Sequence, residues 1–139
     1  MKHINVVAAI IEYKGKILCM QRNIAKYSYI SYKYEFPGGK IEPNESLENA
    51  ILRELNEEMD YSVTITAPFK TITHNYPDFS ITMHTFLCKA TTPNFNMKEH
   101  IAFKWLAPEN MLELDWAEAD YPVVEEIIEY YKTKNNGTI

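Results

Sequence analysis

Two hydrophobic rhythms alternate along this chain. From Ile4 to Glu12 the residues are mostly apolar and read as a strand. Lys16 to Arg22 repeats it more briefly, and Tyr13-Lys14-Gly15 between them has the chemistry of a hairpin turn. Asn23 to Lys33 is polar and rich in tyrosine, and is expected to form a flexible loop. Pro37-Gly38-Gly39 breaks the next short extended piece. The period then changes. Ser46 is placed to cap a helix that runs to about Met59, with Ile51, Leu52, Leu55 and Met59 as its apolar stripe. Ser62–Thr66, Phe69–Asn75, Ser80–Ala90 and Ile101–Leu106 return to the extended pattern, with Met83 and Phe86 as sheet core. Ala119–Tyr131 has helical spacing again, through Val123, Val124, Ile127, Ile128 and Tyr131. Strands interspersed with helices predict an α/β protein in which a mixed sheet lies between helices.

Composition narrows the class. At 139 residues and 46% apolar, the chain suits one domain, 1–139, with one substantial core and a polar tail from Lys132 onward expected to fray. The first apolar run is too short for a signal segment or a membrane span, so a cytoplasmic location is the expectation. A net charge of −5 argues against a binder of nucleic-acid polymers, although bound metal can invert the local sign and admit a nucleotide. Cys19 and Cys88 lie in apolar, strand-like contexts and are expected to be reduced core thiols. His74, His84 and His100 match no zinc spacing and are read as structural or surface residues.

The chemistry is concentrated in the first helix. Glu54, Glu57 and Glu58 fall at i, i+3 and i+4, on one side of a helix, where like charges repel. A hard divalent cation held by oxygens is the natural partner for such a cluster. Five residues separate Gly39 from Glu45, and seven separate Glu45 from Arg53, which opens the run Arg53-Glu54-Leu55-Asn56-Glu57-Glu58.

This arrangement resembles the box of the Nudix family, Gly-x5-Glu-x7-Arg-Glu-U-x-Glu-Glu-x-Gly-U, where U is a bulky aliphatic residue. Every charged position is present; Asp60 stands for the last glycine and Tyr61 for the last aliphatic. Aspartate tolerates the left-handed backbone common just past a helix end, so Asp60 is expected to be a local accommodation that leaves the site unchanged. Glu35-Phe36-Pro37-Gly38-Gly39-Lys40-Ile41-Glu42 is similar to the lead-in of MutT-type nucleoside triphosphate pyrophosphohydrolases. Val6 to Glu12, Gly15 to Leu18 and Ala119-Asp120-Tyr121-Pro122 resemble the CTP pyrophosphohydrolase branch.

The resemblance implies the Nudix fold, an α/β/α sandwich, and Mg2+, or Mn2+ in its place, as cofactor. It assigns metal contacts to Glu54, Glu57, Glu58 and the carbonyl of Gly38. Gly38 and Gly39 would supply backbone conformations closed to other residues. Arg53 is implied to orient the box carboxylates, and Glu45 to fix the loop-to-helix junction or stabilise the helix dipole. Lys40 orients phosphate or water, or is merely solvated. Glu99, six residues before Trp105, matches a distal ligand or base, so Glu54 and Glu99 are both candidates for general base. Arg22 matches a nucleotide contact. Asp120 matches the base-reading position, or caps the last helix. As an ionised acceptor it would slightly favour guanine, whereas the wider resemblance favours cytosine. Phe79, Tyr76 and Trp116 are candidate stacking partners or core. The implied activity is release of nucleoside monophosphate and pyrophosphate from CTP, dCTP or a modified cytosine nucleotide. The alternatives are hydrolysis of oxidised purines such as 8-oxo-dGTP, or a non-catalytic nucleotide sensor. No membrane is implied as partner, and the protein is expected to be a monomer or homodimer.

Overall fold

The computed structural model of the chain describes residues 2–136. Its elements are β1 (Lys2–Tyr13), β2 (Lys16–Gln21), β3 (Tyr34–Glu35), β4 (Gly38–Lys40), α1 (Leu47–Met59), β5 (Thr64–Asn75), β6 (Phe79–Lys89), β7 (Ala102–Leu106) and α2 (Tyr121–Asn136), with 3-10 turns at Pro108–Glu113 and Glu118–Asp120. The strands form one mixed sheet in the order β3-β2-β1-β6-β5, with β4 on β1 and β7 on β2.

The apolar run of β1 explains the layering. Val7, Ala9 and Ile11 face one side with Leu18, Met20, Phe86 and Cys88, and pack against Ala50, Ile51, Leu55 and Met59 of α1. Ala8 and Ile10 face the other with Ile17, Cys19, Met83 and Leu87, and pack against Val123, Val124 and Ile127 of α2 together with Met111 and Trp116. A strand covered on both faces has no polar alternation to show. Cys19 and Cys88 are buried and free, one in each layer, and burial pushes both thiols up to about 12. Leu52, expected in the apolar stripe of α1, is 42% exposed, because the stripe is narrower than its spacing suggested.

The hairpin closes on Lys14 and Gly15, both at positive φ, as a two-residue turn requires. β1 pairs with β2 only at Glu12 and Tyr13. Farther along, β4 is wedged against β1 through Val6, Val7 and Ala8. Its other neighbour across the sheet, β6, runs parallel to β1 over its whole length.

Several boundaries differ from expectation. The two strands expected at Ser62–Thr66 and Phe69–Asn75 are one edge strand, β5, with register shifts at Ile65/Ala67 and Pro68/Thr71. Proline has no N–H to donate to the ladder, and the register shifts just after Pro68. Thr85 Oγ1 closes the gap by accepting from Lys70 N at 2.9 Å and donating to Lys70 O at 2.6 Å. The last helix begins with a 3-10 turn and becomes α-helical at Tyr121 rather than at Ala119. It continues to Asn136, past Lys132, where a polar tail was expected to begin; residues 137–139 lie outside the described residues. Among the described residues no helix is long and apolar enough to cross a membrane.

Gly38 and Gly39 also depart from their expected role. Neither has positive φ, a state that Gly15 has among the described glycines. What they supply is room. A Cβ on Gly38 would strike the carbonyl of Val7, and one on Gly39 would strike the carboxyl of Glu54. Gly38→Ala is therefore expected to push β4 off β1 and to lower stability by about 1–3 kcal/mol. Urea unfolding followed by circular dichroism checks this; an unchanged midpoint would contradict the wedge.

Candidate active site

Arg53 organises the acidic end. From the middle of α1 its Nε donates to Glu45 Oε2 at 2.7 Å and its Nη2 to Glu45 Oε1 at 2.9 Å, a bidentate fork. Nη1 reaches Glu54 Oε1 at 3.0 Å and Glu57 Oε2 at 3.2 Å. Nη2 also donates to the carbonyl of Lys40 at 3.0 Å. Glu45 in turn accepts from Glu42 N at 3.0 Å. These bonds tie the end of β4, the loop and the helix into one unit. The Arg53 hydrogen bond, followed by that from the Glu42 backbone, holds the Glu45 carboxyl below its ordinary range.

Glu54 and Glu58 line a cavity of about 720 Å3, together with Glu99, Gly38, Gly39 and Lys40. The Glu58 carboxyl is pushed up to about 8, first by burial and then by the charges of Glu99 and Glu54, with Glu35 contributing less. The three helix glutamates are not placed alike. Glu57 is 57% exposed at its side chain, pairs with Arg53 and lies outside the cavity lining. Among the described residues no three acidic, His or Cys side chains are close enough to enclose an ion as they stand. The donor set, all carboxylate and carbonyl oxygen, fits a hard cation.

The same cavity extends to Asp120, Phe79, Tyr76 and Tyr27. Asp120 is 5% exposed, and its Oδ1 accepts from Phe36 N at 3.3 Å. Burial, then the charge of Glu35, pushes its carboxyl well above the ordinary range. Tyr27 stacks on Phe79 at 5.5 Å, and Phe79 lies against Tyr76 at 5.0 Å. Arg22 stands between the two ends, its Nη1 donating to Glu35 Oε1 at 3.0 Å.

Comparison with known proteins agrees with this geometry. The NUDIX domain family matches residues 1–127. The chain belongs to the Nudix family. It is 38% identical to the CTP pyrophosphohydrolase of Escherichia coli K12 over 125 residues, covering 90% of this chain and 91% of that one. It is also 38% identical to the 8-oxo-dGTP diphosphatase of Proteus vulgaris over 87 residues, covering 62% and 76%. Among solved structures, the E. coli ORF135 protein superposes with a TM-score of 0.77 at 36% identity, covering 93% of this chain and 91% of that one. The Nudix fold, a mixed sheet between helices, and the assignment as a Nudix hydrolase follow.

The Nudix lining gathers Arg22, Gly38, Lys40, Glu54, Glu58, Phe79, Glu99 and Asp120 around one cavity, whereas Arg53, Glu45 and Glu57 stand behind it. Trp116 is removed from the stacking candidates. It is 1% exposed, packs on Phe36, and donates its Nε1 hydrogen to Met111 O at 2.7 Å. Asp120 stands directly before α2, and its side chain accepts from Phe36 N. His74 lies beside Glu118 and His84 beside Thr71, as structural residues.

Sequence reasoning missed Glu35 and His100. Glu35 spends one oxygen on Arg22 and the other on His100 Nε2, at 2.9 Å, and its charge raises both Glu58 and Asp120. A signal existed: a glutamate flanked by the buried rings of Tyr34 and Phe36 is an expensive placement. The tyrosine loop is also better anchored than expected. Tyr29 stacks on Tyr27 and Tyr76, and its hydroxyl donates to Asp78 Oδ2 at 2.8 Å.

Glu58 supplies a pH test. Its folded pKa of about 8 stands above the ordinary 4.5, so its contribution is fully present below about pH 4.5 and is lost as pH rises through about 8. In chelator, the melting temperature of the parent relative to Glu58→Gln should fall between those limits. A difference independent of pH would show that Glu58 is not crowded.

Proposed function

We propose that this protein is a divalent-cation-dependent nucleoside triphosphate pyrophosphohydrolase that prefers cytosine nucleotides. The observation that carries the base preference is the buried carboxyl of Asp120 at the aromatic end of the cavity. An ionised carboxylate only accepts hydrogen bonds and would oppose cytosine N3. A carboxyl driven toward its neutral form offers a hydroxyl donor beside an acceptor, which complements cytosine N3 and its amino group. The 38% identity to a protein named CTP pyrophosphohydrolase supports the same reading. The 38% identity over a shorter stretch to an 8-oxo-dGTP diphosphatase favours oxidised purines as a second activity.

Glu54, Glu58 and Glu99 would hold Mg2+ with the Gly38 carbonyl, and the cation when bound would neutralise phosphate charge and acidify water. The chain's own residues do the rest. Arg53 fixes one oxygen of Glu54 and leaves the other toward the cavity. Arg22 and Lys40 are among the cations that line the same space and could contact the triphosphate. Phe79, Tyr27 and Tyr76 provide a face for the base. Water oxygen bonds to phosphorus, the α–β bridging bond breaks, and a carboxylate of the cluster, Glu54 or Glu99, takes the water proton. Monophosphate and pyrophosphate leave.

Two measurements test this. Turnover of CTP, followed as monophosphate and pyrophosphate, should require Mg2+ or Mn2+ and stop in EDTA; full turnover without metal would sink the mechanism. The ratio of kcat/KM for CTP over dGTP should fall as pH rises, because ionised Asp120 favours the guanine edge. Asp120→Asn has a fixed donor and acceptor and should flatten that dependence, while Asp120→Ala should weaken CTP discrimination by about ten- to a hundredfold. A ratio unchanged by pH and by both variants would place base reading elsewhere.

A further inference from the structure

The two positions that break the Nudix box pattern both grip the segment that carries Glu99. Asp60 follows the last residue of α1 at φ 48 and ψ 44, the left-handed conformation, and its N–H donates to Asn56 O at 3.1 Å. A glycine there would take the same backbone but would present no side chain. The Asp60 carboxylate accepts from Asn96 Nδ2 at 2.7 Å and from Lys98 Nζ at 3.1 Å. Lys98 Nζ also donates at 3.2 Å to the carbonyl of Glu57, one of those left free at a helix end. Asn96 N donates to Met59 O at 2.9 Å. Next along the chain, the Tyr61 hydroxyl donates to Thr92 O at 2.6 Å, and its ring lies 5.3 Å from that of Phe95.

The gripped segment has no regular structure between β6 and β7. Its own backbone ladder therefore does not fix Glu99, which is exposed at its surface and still lines the cavity. We propose that Asp60, seconded by Tyr61, is a positioning residue that latches residues 92–98 to the end of α1 and so holds Glu99 opposite Glu54 and Glu58. The proposal rests on Glu99 belonging to the active site. It replaces the expectation that Asp60 is only a conformational accommodation.

Asp60→Gly is a clean probe, because it keeps the left-handed backbone unstrained and removes only the latch. At saturating Mg2+ and nucleotide it should lower kcat about tenfold with little change in KM, the scale typical of residues that orient metal-site carboxylates. Asp60→Asn keeps an acceptor for Asn96 and Lys98 and should restore most of the loss. Amide exchange over residues 94–101 should accelerate in Asp60→Gly and not in Asp60→Asn, with the melting temperature close to that of the parent in both. In a Glu99→Gln background, Asp60→Gly should add no further loss. Parent-like kcat and exchange in Asp60→Gly, or an additive loss with Glu99→Gln, would overturn the latch. Parent-like activity of Glu99→Gln alone would overturn the assignment of Glu99, and the latch with it.

Discussion

Four carboxylates and one backbone carbonyl surround the guanidinium of Arg53, and the acidic end is arranged around that charge. A helix with glutamates at i, i+3 and i+4 repels itself. Arg53 relieves part of that repulsion by drawing Glu45, Glu57 and one oxygen of Glu54 to the side away from the cavity. Its bond to the Lys40 carbonyl also fixes β4, whose missing Cβ atoms let the wedge approach both β1 and Glu54. Glu58 and Glu99 lie beyond its reach. The uncompensated charge therefore ends up at the cavity wall, which is where a cation would be useful. Lysine could carry the charge but not the planar fork that reaches four partners at once.

The elements most legible in the sequence were those set by local pattern. The extended run of β1, the cap at Ser46, and the spacing from Gly39 to Glu58 all follow from residues close together in the chain. The left-handed end of α1 at Asp60 was likewise readable from residue type. What was not readable depended on distant partners. Pro68 looked like a boundary because Thr85, on the neighbouring strand, is invisible to a local pattern. The tyrosine loop looked mobile because its polarity hid the stacking of Tyr27 and Tyr29 on Phe79 and Tyr76. Helical spacing groups Glu57 with Glu54 and Glu58 but does not reveal that its carboxylate pairs with Arg53 and lies outside the cavity lining. The contacts of the Asp60 carboxylate were unreadable for a related reason: backbone conformation can be inferred from the residue, whereas what its carboxylate touches cannot.

Glu35 shows how the two ends of the cavity are joined. Its two oxygens are taken by Arg22 and His100, and its charge contributes to raising Glu58 on one side and Asp120 on the other. The two raised carboxyls have the same origin, burial beside other acids, but differ in how they can be relieved. Glu58 lies only partly buried on a helix face among Glu54 and Glu99, so a cation arriving through the cavity can restore its charge. Asp120 is enclosed against Phe36 N, with Arg22 only weakly lowering it, so a proton is the smallest positive partner that fits. On the proposed function, the first excess of acid would be answered by a metal where phosphate is handled, and the second by a proton where the base is read. That division follows from depth of burial rather than from residue type, which is why two carboxylates of one cavity can be asked to do opposite things.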